Sequence, residues 1–152
     1  VPEGGGYGPR ETALIADLQN RLEAYQTHME AVEVRKSAAE LRAIWALGNE
    51  YLQAAEPWAV YKTNPEEAAG IIRLSLNLIA LYGQISAPFI PDAAQTLRQA
   101  MGQSDPLWPE DLEQALTSCA VGDAFTVPEN LFGKITDEQR DEWSQRFSGT
   151  RP

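Results

Sequence analysis

Trp58 and Lys62 lie four positions apart, where a long helical pattern has just been stopped by Pro57. An indole offers a flat π face and an ammonium a compact charge, a combination suited to a stacked, unpaired nucleobase and its phosphate. The flanking stretches Leu47-Gly48-Asn49-Glu50-Tyr51-Leu52 and Thr63-Asn64-Pro65-Glu66 continue this mixture of polar and aromatic groups. A tryptophan after a proline also works as an apolar plug on the end of a bundle. The residues alone leave platform and plug open, and exposure of the ring decides between them.

Other chemistry finds less support. His28 has no second histidine or neighbouring cysteine to complete a metal site, so a structural imidazole is expected. Cys119 is the single cysteine. It makes no internal disulfide, no glycine-rich turn precedes it, and a small buried hydrophobe is the expectation. The acidic pairs Glu66/Glu67 and Asp137/Glu138 open helices, where they complement the dipole without any acid–base role. Gly4-Gly5-Gly6 lacks the following Gly-Lys-Ser/Thr of a phosphate loop. Neither a metal, a cofactor nor a catalytic group is therefore expected in the chain itself.

The 152 residues, 43% of them hydrophobic, suffice for one domain with an ordinary core. A formal charge of −10, from 22 acids against 12 Lys and Arg, argues against broad nucleic-acid binding, which draws on many phosphate contacts. That balance still permits a local reader of a few unpaired bases. No basic-then-apolar leader and no apolar run long enough to span a bilayer stands out, so neither a signal peptide nor a membrane partner is expected, and a cytoplasmic location is the default. Beginning at Val1, the chain reads as a piece of something longer.

Several helices must position Trp58. Residues 1–8, with four glycines and a proline, predict a flexible leader, and residues 9–152 a single helical domain. Leu14, Leu18, Leu22, Tyr25, Met29 and Val32 recur at helical spacing, and a second helix follows from about Glu33 to Ala55, with Val34, Leu41, Trp45 and Leu52 on one side. The short connection makes these two antiparallel neighbours. Asn64, Pro65 and Glu67 predict a reciprocal cap opening a third helix, apolar on nearly all sides and running to about Ser86. A fourth covers about Pro91 to Met101, before Gly102. An irregular segment over about 102–135 holds a short helix from Trp108 to about Thr117 and a brief extended piece at 124–127. Thr136 and Gln139 then cap a tail helix over about 137–147, whose Trp143 and Phe147 have something apolar to cover.

Asn49-Glu50-Tyr51, Glu56-Pro57-Trp58, Lys62-Thr63, Leu78 and Ala87-Pro88-Phe89-Ile90-Pro91, in this order and spacing, resemble the anticodon-binding domain of bacterial methionyl-tRNA synthetase. Val127-Pro128-Glu129-Asn130-Leu131-Phe132-Gly133-Lys134-Ile135 is similar to the segment that closes the bacterial enzyme's core. The likeness runs from about Val34 to Phe147 and has an alphaproteobacterial flavour. It implies an all-α antiparallel helix bundle of the kind found in class I aminoacyl-tRNA synthetases. Trp58 is then the residue that stacks on an anticodon base, with Pro57 setting its backbone and Lys62 near the same loop. Asn49 and Tyr51 are further candidates for the RNA surface, and each equally suits holding the helix end in place.

The family also reads base edges with an Asn and an Arg from the domain's first helix, and this chain begins just after that helix's place. The signature motifs of the catalytic half are missing too. The implied parent is a ligase that joins methionine to its tRNA using ATP. The implied partners are the anticodon loop of methionine tRNA and the parent's catalytic domain, toward which the tail helix folds back. Two rivals stand beside this reading: a helical protein-interaction module whose acidic surface docks basic partners, and the equivalent domain of an isoleucine, valine, leucine or cysteine enzyme.

Overall fold

Two long helices, α1 (Pro9–Glu30) and α2 (Val34–Ala55), open the computed structural model, which describes residues 1–103, 108–109 and 111–149. They form a hairpin through a turn in which Val32 adopts φ 59° and the Glu33 amide donates to the His28 carbonyl at 2.8 Å. That bond satisfies a helix-end carbonyl, and the left-handed residue supplies the reversal. Val32 and Val34, expected on the apolar stripes, are exposed because they fall at this reversal. His28 is structural as expected: its Nδ1 lies 2.6 Å from a Glu33 carboxylate oxygen.

Leu14, Leu18, Leu22 and Tyr25 of α1 bury against Leu41, Ile44 and Tyr51 of α2. The hairpin closes on α4 (Pro65–Ile85), reached through a single short turn, α3 (Pro57–Val60). Helix α4 contributes Ile71, Leu74, Leu78, Leu81 and Ile85 to the same core. Tyr25 ties the two ends together, its hydroxyl donating to the Ile85 carbonyl at 2.8 Å. The second layer is α5 (Pro91–Ala100), which approaches α4 so closely that a β-carbon on Gly83 would meet Arg98. Arg98 itself donates from Nη1 to the Gly83 carbonyl at 2.9 Å, which ties α5 to α4. Among the described residues the chain is all-α, without a strand.

By length and composition α4 is long and apolar enough to cross a bilayer, the one such helix among the described residues and contrary to the expectation that no such run exists; its mean hydropathy over an 18-residue window is 1.3. Arg73 and Asn77 interrupt the run to the eye but do not lower the average enough. Core packing accounts for the composition, since 61% of that window is buried within the chain.

Three further differences concern the chain's margins. The eight-residue leader, expected to be flexible and to bury nothing, lies along α4: the Gly5 carbonyl accepts from Arg73 at 2.8 Å and the Val1 carbonyl from the Gly122 amide at 2.9 Å. Small residues make this possible, because Gly70 on α4 passes directly under Gly5. The short helix near 112 is only α6 (Leu112–Ala115), with the Asp111 carboxylate accepting from the Glu113 amide at 2.8 Å. Glu110, in its expected first turn, lies outside the described residues. The segment 124–127 makes no strand, and the Thr126 amide donates a hydrogen bond to the Ala100 carbonyl at 2.8 Å.

The tail helix α7 (Asp137–Phe147) has its reciprocal cap, with Thr136 and Gln139 exchanging bonds of 3.0 and 3.2 Å. It buries none of its residues. Trp143 and Phe147 stay exposed, at 42% and 70%, and neither joins the core among the described residues.

Candidate functional site

Glu56 is the joint that places Trp58. Its amide donates to the Leu52 carbonyl at 3.2 Å and so closes α2, while its own carbonyl accepts from Ala59 and Val60 at 2.8 and 3.0 Å and so opens α3. To serve both helices the residue adopts φ 43°, ψ 56°, the left-handed region that side chains disfavour. Pro57 follows at the first helical position, where its missing amide costs nothing. Its ring is buried, as befits a residue that sets backbone direction.

The indole of Trp58 points outward. It retains 58% of its accessible surface, which excludes the plug and leaves an open aromatic face. The groove beside it is lined by Pro57, Trp58 and Tyr61, by Pro65, Ala68, Ala69 and Ile72 of α4, and by Pro2 of the leader. The groove encloses about 600 Å³ and no charged side chain lines it. Its start is held by the α4 cap: the Asn64 side-chain oxygen accepts from the Glu67 amide at 3.2 Å. The expected reciprocal bond to the Asn64 backbone is replaced, because that amide already donates to Val60 at 2.8 Å. The Glu67 carboxylate instead takes the Asn64 side-chain amide at 3.1 Å.

Lys62 is exposed just beyond Tyr61 and joins no ion pair among the described residues. Asn49 is also exposed, on α2, but is not among the residues lining the groove. Of the two places open to Tyr51, the RNA surface and the packed helix end, the structure gives the second. Tyr51 is buried to 5% and donates its hydroxyl to Glu11 of α1 at 3.0 Å. Burial, then the hydrogen bond with Glu11, pushes its phenol well above the usual value of 10.0. Its ring spacing belongs to the α2 stripe, so packing took it into the core. The residue passed over in the sequence is Tyr61, 66% exposed and three positions after Trp58. The signal was available in that spacing, which puts two rings on one side of a helical turn.

The glycine leader forms a different hollow, of about 290 Å³, which Glu11, Glu66 and Glu67 help to line. Carboxylates there repel phosphate, in keeping with the absence of a phosphate-loop pattern. Among the described residues no group of His, Cys, Asp and Glu is arranged to hold a metal ion. Cys119 is buried, and burial raises its thiol pKa.

The family profile of the anticodon binding domain of methionyl tRNA ligase matches residues 1–152. A methionine–tRNA ligase of Ruegeria pomeroyi is 62% identical over 151 residues, which are 99% of this chain and 26% of that protein. One from a Jannaschia species is 61% identical over the same shares. The chain thus spans about a quarter of the length of these relatives. Methionyl-tRNA synthetase of Mycobacterium tuberculosis, solved with methionyl-adenylate bound, superposes with a TM-score of 0.67 at 20% identity, over 88% of this chain and 27% of that one. At that identity the superposition speaks for the helical bundle alone.

Proposed function

Because the chain belongs to the family of methionyl-tRNA ligase anticodon-binding domains, we propose that Trp58 is the surface on which an unpaired anticodon base of methionine tRNA stacks, with Lys62 near its phosphate. The observation that carries this reading is the exposed indole, fixed between two helices at a proline. Stacking tolerates any base, so the ring supplies affinity and leaves sequence choice to hydrogen-bonding groups elsewhere. Exposed Asn49 remains a candidate for such a group; Tyr51 contributes by holding α1 to α2 through Glu11.

The larger protein of which this chain would be part attaches methionine to its tRNA at the expense of ATP, in the cytoplasm where translation runs. ATP and methionine would be handled by its catalytic domain. That domain is also the partner for α7, whose exposed Trp143 and Phe147 are an apolar stripe without cover. The acidic charge of −10 fits a division of labour in which other parts hold the phosphate backbone and this one grips the loop.

The test is equilibrium binding of an anticodon stem-loop to the chain. Trp58→Ala should weaken binding by about 1–3 kcal/mol, and Lys62→Ala should flatten the salt dependence by about 0.7 in log–log slope. Stem-loops carrying other anticodons should bind more weakly than the methionine one. Equal affinity of Trp58→Ala and the wild-type chain would remove the platform.

A further inference from the structure

The groove has a second aromatic ring that the stacking of one base leaves unused. Tyr61 follows Trp58 by three positions at the end of the same turn, and both rings are exposed, at 66% and 58%. Pro65, Ala68, Ala69 and Ile72 of α4 line the same groove, and no carboxylate is among the lining residues. The hollow of about 600 Å³ is in the range that seats a ring system larger than a single side chain. Lys62 comes next in sequence, its ammonium in no ion pair among the described residues.

We propose that Tyr61 is a second stacking platform, and that the Trp58–Tyr61 groove takes the nucleotide next to the one lying on Trp58. This rests on the Trp58 reading above, of which it is a continuation along the same strand. The occupant follows from chemistry on the page. A π face in an apolar lining suits the flat surface of a base. A cation one residue beyond the ring suits the phosphate linking two such bases. An uncharged lining offers nothing to a basic peptide, despite the acidic charge of the chain as a whole. The ring face does the work in this arrangement, and the phenolic hydroxyl is dispensable.

Titration of the chain with the methionine anticodon stem-loop, and with loops in which each nucleotide in turn is made abasic, tests this. Tyr61→Ala should weaken binding roughly 5- to 160-fold, while Tyr61→Phe should bind as the wild type does. An abasic nucleotide at one loop position should abolish the Tyr61→Ala effect, and one at the neighbouring position the Trp58→Ala effect. Both side chains are exposed, so thermal melts of the variants should match the wild type and keep the comparison clean. Wild-type affinity in Tyr61→Ala, with Trp58→Ala weakened, would overturn the second platform and leave the first standing. If one and the same abasic position silenced both variants, a single shared base would replace the proposed pair. No binding by the wild-type chain would take down both readings together.

Discussion

Gly48 on α2 faces Tyr82 of α4, whose hydroxyl donates to the Ile44 carbonyl at 3.3 Å. A β-carbon at Gly48 would overlap that hydroxyl, so the glycine is what lets the two helices approach. Gly48→Ala gains about 0.5–1 kcal/mol of helix propensity against an overpacking cost of about 1–3 kcal/mol. A net loss of stability is expected, measured as a lower urea midpoint; a raised midpoint would mean that the Tyr82 ring swings aside freely. The same scale shows why the site was only partly legible. Trp58 stands out in the sequence because it sits beside a proline, off both helical stripes. Tyr51 is aromatic, polar and close by, yet its periodicity assigns it to the core, where it bonds Glu11. Tyr61 carries no such punctuation. Its one signal is the three-residue spacing from Trp58, which gains meaning only once α3 is known to turn there.

Helix limits were the most readable feature, because caps are local chemistry. Pro65 and Asn64 start α4, Thr136 and Gln139 start α7, and Gly102, at φ 70°, follows α5. What a helix packs against is not local, and there the sequence is less informative. Helix α7 shows the gap: an apolar pair four residues apart implies a partner, but no residue of α7 is buried. At 11 residues it is also too short to be stable in isolation. Trp143→Ser with Phe147→Ser should therefore leave the melting of this chain unchanged within about 0.5 kcal/mol. Circular dichroism melts check this, and a clear destabilisation would place α7 against the bundle. The leader erred in the other direction. Glycines suggest freedom, but here they allow backbone to lie flat on α4, and composition cannot distinguish the two.

The helices of the bundle share a main core, beside a smaller cluster of Leu76, Ala80, Met101 and Cys119, and the buried phenols titrate with unfolding. Burial pushes Tyr25 up to about 12 and Tyr82 up to about 12, and raises Tyr51 as well, from an ordinary 10.0. Raised values mean that the folded chain keeps protons that the unfolded chain surrenders. Their contribution is complete below about pH 10 and is lost as pH climbs toward the folded values, by up to about 1.4 kcal/mol per pH unit for each phenol. Urea unfolding from about pH 8.5 to 11.5 should show a plateau and then a decline; a flat profile throughout would mean that the phenols ionise in place. Another property of the assembled chain follows from Glu56. A backbone already bonded on both sides, and followed by a proline, has little freedom left to surrender when something settles on the indole next door. Ordering of that segment was completed during folding, so the entropic penalty of association there falls mostly on the incoming molecule.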